Sequence, residues 1–180
     1  MGSEGVTYTA EQLALQPDLV PANISPVSFL ATDYLNHFNE IVMTLEMAVD
    51  MPDLVEDARE WEPLSYPEHF EQSGFAAKAL VIQAYEIAPT CIRQSFDRVV
   101  EELNDVVMNS ILVLSIAMKS EFGLTEQERF RLEEQRETMH DLLGQLNGII
   151  HTGGEHLEVV TGDVDDGDAQ SQDEIDQLFD

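Results

Sequence analysis

The sequence predicts an all-α protein built around a long antiparallel helical hairpin, and three observations lead there. First, apolar side chains recur at helical steps from about Cys91 to Glu121: Phe96, Val99, Val100, Leu103, Val106, Val107, Ile111, Leu114 and Met118. Second, Phe122-Gly123-Leu124 interrupts that run, and a glycine there can take the left-handed conformation that commonly ends a helix. Third, Thr125 and Glu128 form a Thr-x-x-Glu capping box. It opens a second helix that runs to about His151, where Gly153 and Gly154 stop it. Two long helices joined by a short loop must lie antiparallel.

The remaining elements follow in chain order. Residues 1–27 carry Pro17, Pro21 and Pro26 and few large apolar residues, so an irregular leader is expected. Residues 28–90 read as an N-terminal helical region. Its first helix spans Ser28 to about Val49, with Leu30, Tyr34, Phe38, Ile41, Val42, Leu45 and Met47-Ala48 in register. A short helix follows from Pro52 through Trp61, with Asp53 suited to its N-terminus. Pro63 and Pro67 mark a turn region, and a further helix from Phe75 to Ile87 ends at Pro89. The hairpin unit occupies residues 91–160. Ile111, Leu112, Val113, Leu114 and Ile116 run almost all the way round its first helix. Such a helix must be covered on several sides, either by a second copy, as a dimeric four-helix bundle, or by the N-terminal helices.

Beyond Val160 the composition changes. Residues 161–171 contain Gly162, Gly167 and four aspartates, and read as a flexible acidic linker. Apolar residues return in residues 172–180 at Ile175, Leu178 and Phe179, spaced i, i+3, i+4. Ser171 and Glu174 form another capping box. A helix of about ten residues does not fold alone in water, so this segment is expected to dock on a partner's groove. Packing back on its own domain is the alternative.

The chain has 180 residues, with 36 acidic and 8 basic side chains and a formal charge of −28. That charge disfavours nucleic acid and anionic membrane surfaces and favours partners carrying Lys or Arg. The single cysteine, Cys91, excludes an internal disulfide and a cysteine-rich metal cluster. No signal-like segment opens the sequence. The best apolar run, Ile111–Met118, is interrupted by Ser115 and too short to span a bilayer. A cytoplasmic protein is expected. Glu137-x-x-His140 matches half of a helical di-iron site, but no second Glu-x-x-His exists to complete it. No cofactor is expected in this chain.

The sharpest chemical signal is Asp141-Leu142-Leu143-Gly144-Gln145 on the second hairpin helix. Met139, Leu142, Leu143, Leu146, Ile149 and Ile150 form the apolar stripe. Asp141 and Gln145 stand together off it, one turn apart. Gly144 costs about 1 kcal/mol in mid-helix relative to alanine, which suggests that another molecule or backbone comes close. By spacing alone, a solvated Asp-Gln pair is the simpler reading.

This run resembles the Asp-Leu-Thr-Gly-Gln signature of the CheZ chemotaxis phosphatases, with Leu143 in place of the threonine. The C-terminal Ser171-Gln172-Asp173-Glu174-Ile175-Asp176-Gln177-Leu178 also looks like the receiver-binding peptide that begins the flagellar switch protein FliM. Hairpin, Asp-x-x-x-Gln pair, linker and docking peptide occur in the CheZ order, as in a short, CheT-type variant. The likeness covers residues 91–180 by architecture and does not extend to the first ninety. It implies a homodimeric four-helix bundle that binds a phosphorylated CheY-type receiver and promotes hydrolysis of its aspartyl phosphate. Gln145 would orient the attacking water, and Asp141 would pair with the receiver's active-site lysine. Mg2+ would be held by the receiver, and Ile175, Asp176, Leu178 and Phe179 would bind it. The rival from another class is a non-catalytic adaptor that uses the same C-terminal peptide.

Overall fold

The computed structural model describes residues 6–154, and every regular element among them is helical. The expected linker, residues 161–171, and docking peptide, residues 172–180, lie outside the described residues. Seven α-helices occur among the described residues: α1 Ala10–Leu19, α2 Asn36–Ala48, α3 Leu54–Arg59, α4 Tyr66–Gln72, α5 Lys78–Ile87, α6 Thr90–Met118 and α7 Glu126–Thr152. Two 3-10 turns, Val20–Ala22 and Thr32–Leu35, join the first of them.

α6 and α7 form the expected hairpin. They contain 29 and 27 residues, which makes each about 40 Å long at ~1.5 Å per residue. Gly123 takes the left-handed conformation, φ 63°, in the connection. The Thr125 hydroxyl accepts from the Glu128 amide while the Glu128 carboxylate accepts from the Thr125 amide. The two helices are also joined at mid-length, where the buried Ser110 hydroxyl donates to Gln135 Oε1 at 3.0 Å.

The N-terminal elements supply part of the hairpin's cover. α2 packs on both α6 and α7, and α3 packs on α6. Ile111, Val113 and Leu114 are buried, whereas Leu112 and Ile116 stay 56% and 57% exposed.

Three expectations are corrected. The leader is not irregular throughout: α1 occupies its centre, opened by a Thr9/Gln12 capping box. Gln12 is buried, and its side-chain amide donates to Ile87 O at 2.6 Å, tying α1 to the end of α5. The helix expected from Ser28 begins later, because Phe29 is left-handed at φ 67° and turns the chain. Burial holds that unfavourable conformation: Phe29 is fully enclosed. Finally, Pro67 does not mark a turn. It lies in the first turn of α4, where its missing N–H costs nothing, behind a Ser65/Glu68 capping box.

The core is centred on Tyr34. Its ring contacts Phe38, Tyr66 and Phe96 at centroid distances of 5.6, 5.1 and 5.7 Å, and its hydroxyl donates to Leu64 O. Beside it, His37 stacks on Trp61 at 4.8 Å and lies 5.8 Å from His69. At the far end of α7, Ser28 Oγ donates to Ile150 O at 2.6 Å. Gly153, left-handed at φ 71°, fits where a Cβ would stand 3.0 Å from Ile92 Cδ1 and 3.3 Å from Val27 Cγ1.

Candidate functional site

α7 has two faces because its apolar residues recur at helical spacing. Leu132, Met139, Leu142, Leu146, Ile149 and Ile150 are buried, and Leu143 packs half-buried at their edge. Asp141 and Gln145 are exposed on the opposite side. Among the described residues neither side chain has a hydrogen-bond or ion-pair partner. Gly144 lies beside them, and a Cβ built on it meets nothing within 4 Å; the same holds for Gly148. Among the described residues no neighbour requires either glycine, so that stretch of helix backbone is open to an approaching molecule.

The helix is fixed in place just before the pair. His140 Nε2 lies 2.6 Å from Glu46 Oε1 on α2. Arg136 approaches the same carboxylate at 3.9 Å and also pairs with Glu133. His140 is therefore engaged with Glu46, and no group of three or more metal-ligating side chains occurs among the described residues. The predicted pair is thus brought together on a supported helix, while Ile175, Asp176, Leu178 and Phe179 lie outside the described residues.

Two features were not read from the sequence. One is the pair of half-buried imidazoles, His37 and His69. Burial, followed by the neighbouring His69, lowers the His37 pKa from 6.5 to about 4, a backbone hydrogen bond at Glu62 opposing only partly. Burial likewise lowers that of His69. The other is a cleft of about 300 Å³ beside α6, lined by Tyr34, Tyr66, Tyr85, Asp97, Glu101 and Asn104. The Asp97, Glu101 and Asn104 spacing on one helix face was legible in principle. The tyrosines come from three separate elements, and no local pattern joins them.

Among the described residues, no helix is long and apolar enough to cross a membrane. No family model, curated protein or solved structure matches the chain.

Proposed function

We propose that this protein engages a phosphorylated receiver of the CheY type and promotes hydrolysis of its aspartyl phosphate. The observation that supports the reading is the exposed, internally unpartnered Asp141–Gln145 pair beside the open backbone of Gly144. Hydrolysis of an acyl phosphate needs a water in line with the bond that breaks. The water oxygen bonds to phosphorus, the aspartate leaves as carboxylate, and inorganic phosphate carries the released proton. Positioning supplies most of the catalysis in such a reaction. The Gln145 carboxamide can accept from that water and donate to a phosphoryl oxygen. Asp141 pairs with a lysine of the receiver and fixes the approach. The receiver carries the required Mg2+.

The C-terminal peptide would recruit the receiver through Ile175, Asp176, Leu178 and Phe179. Two copies would pair through the side of α6 where Met108, Leu112 and Ile116, spaced at i, i+4, i+8, remain 45%, 56% and 57% exposed. A helix face of this kind is suited to burial against a like face.

The test is phosphate release from a CheY-type receiver phosphorylated with a small-molecule donor. The full chain is expected to shorten the phosphoryl lifetime. Gln145→Ala should reduce that acceleration by about 10²–10³, the usual effect of losing one transition-state contact, while receiver affinity persists. An unchanged lifetime with retained binding would replace this reading with the adaptor. Equal activity in Gln145→Ala would place the site elsewhere.

A further inference from the structure

A cleft of about 260 Å³ opens where the end of α2 and the start of α3 meet the tip of the hairpin. Its lining is apolar apart from Ser120 and Arg129. Part of that apolar surface faces solvent: Pro52 is exposed, Met118 is 40% exposed, and Val49 and Leu124 are half-buried. The hairpin tip also carries Phe122 and Phe130, 90% and 66% exposed. Open apolar surface gathered in one place marks a site of association.

Charge narrows the choice of occupant. The chain has 36 acidic side chains against 8 basic ones, yet the one charged side chain lining this cleft is Arg129. Its contact with Asp50 is 3.8 Å long, and the two side chains are 50% and 87% exposed, so the guanidinium is loosely held. A basic helix would set like charges together here, whereas an acidic, one-faced apolar helix would meet a counter-charge. Residues 172–180 have that composition. Ile175, Leu178 and Phe179 are spaced i, i+3, i+4 among four acids, with no lysine or arginine. On a helix Asp176 flanks this stripe, about 60° round from Phe179.

The connection is long enough. Leu124 and Arg129 lie at one end of α7 and Gly153 at the other, about 40 Å apart for 27 residues at ~1.5 Å each. Residues 155–174 can span up to about 70 Å. Within them, residues 155–170 hold six acids and no lysine or arginine, a composition that favours an extended chain.

We propose that residues 172–180 of this chain fold back into the cleft at the hairpin tip, seating Ile175, Leu178 and Phe179 on its apolar surface with Asp176 at Arg129. The contact is autoinhibitory: a segment held there is withdrawn from any partner that needs the same three apolar side chains. Competition with a receiver rests on the reading given above. The docking itself does not, and its test contains no receiver.

The experiment is NMR of the full chain bearing a nitroxide at Gln177→Cys in a Cys91→Ala background, in about 0.5 M salt, where repulsion among the acids is screened. Position 177 lies opposite the apolar stripe, so the label does not displace an anchor. Paramagnetic broadening is expected at Val49, Met118, Leu124 and Arg129, with Asp141 and Gln145 spared. Leu178→Asp should abolish it while leaving the spectrum of the helical body intact. Arg129→Gln should lower the docking constant about two- to fivefold, the scale of an exposed ion pair. Three outcomes would overturn the proposal. The first is no broadening at the cleft, or broadening centred on Gly153. The second is broadening at the cleft that survives Leu178→Asp. The third is broadening of isotope-labelled chains by nitroxide carried only on unlabelled ones, which would place the segment on a second copy.

Discussion

The aromatic core around Tyr34 and the outer face of the hairpin use their residues in opposite ways. In the core, Tyr34, Phe38, Phe70 and Phe96 are fully enclosed; the Phe38 and Phe96 rings pack on Tyr34, and the Phe70 ring packs on Tyr66. On the outer face of α7, among the described residues, a Cβ added at Gly144 or Gly148 would meet nothing within 4 Å, and the exposed polar side chains at 141 and 145 have no partner. Each of those glycines costs about 1 kcal/mol relative to alanine, with no close packing in the described structure to require it. The contrast separates two tasks. Packing beneath the helix holds it in position, and the surface above is left free to be shaped by something outside the chain.

If that division is right, damage to one region should leave the other intact. The largest effect expected is that of Phe96→Ala, which removes a ring at the centre of the cluster. It should lower the unfolding free energy by about 3–5 kcal/mol, measured by urea denaturation. Receiver dephosphorylation per folded molecule should be unchanged. A loss of activity beyond the loss of folded protein would tie the two regions together.

Acid should act on the same core. With a folded pKa of about 4 against an ordinary 6.5, His37 binds fewer protons folded than unfolded between those values. Stability is therefore full above about pH 6.5 and falls as the pH drops toward 4. His69, Asp33, Glu40 and Glu62 are the charged or titratable neighbours that modulate this region. Trp61, stacked on His37, reports the transition by fluorescence. His37→Phe should flatten the acid limb, and an unaltered limb would assign it to other groups.

The smallest effect sharpens the contrast most. Gly144→Ala should raise stability by about 1 kcal/mol, because the added methyl meets nothing. The same methyl would stand where a partner is expected to close on the helix, so dephosphorylation should fall. A variant that is both more stable and fully active would remove the reason for the glycine.

The hairpin was legible because independent local signals agreed: a 3.6-residue period, a stop at Gly123 and a cap at Thr125. The Asp141–Gln145 face was legible for the same reason, since helical geometry alone separates it from the stripe through Leu142 and Leu146. α1 and α4 were missed although each begins with a readable capping box, Thr9/Gln12 and Ser65/Glu68. The nearby prolines outweighed those signals. Pro67 is harmless in a first helical turn, and Pro17 lies toward the end of α1, where the chain passes into a 3-10 turn. The left-handed Phe29 was not legible, because only its burial in the finished fold stabilises that backbone. Nor was the division of cover on α6, where Ile111 and Leu114 are buried while Leu112 and Ile116 stay open.

The seat of Gly153 between Val27 and Ile92 fixes the point at which the chain leaves α7. Gln145 is eight residues upstream of it, about 12 Å along the axis at ~1.5 Å per residue. Residues 155–174 separate this anchorage from Ile175, and twenty residues reach at most about 70 Å. On the proposed reading, a receiver captured by the terminal peptide would be tied to the end of the helix that carries the Asp141–Gln145 face. Its arrival at that face would then be an intramolecular event, and linked encounters of that kind can see a local concentration on the order of millimolar. On that reading the platform itself would need little affinity of its own, and it would release a spent receiver quickly while the tether kept the next encounter close.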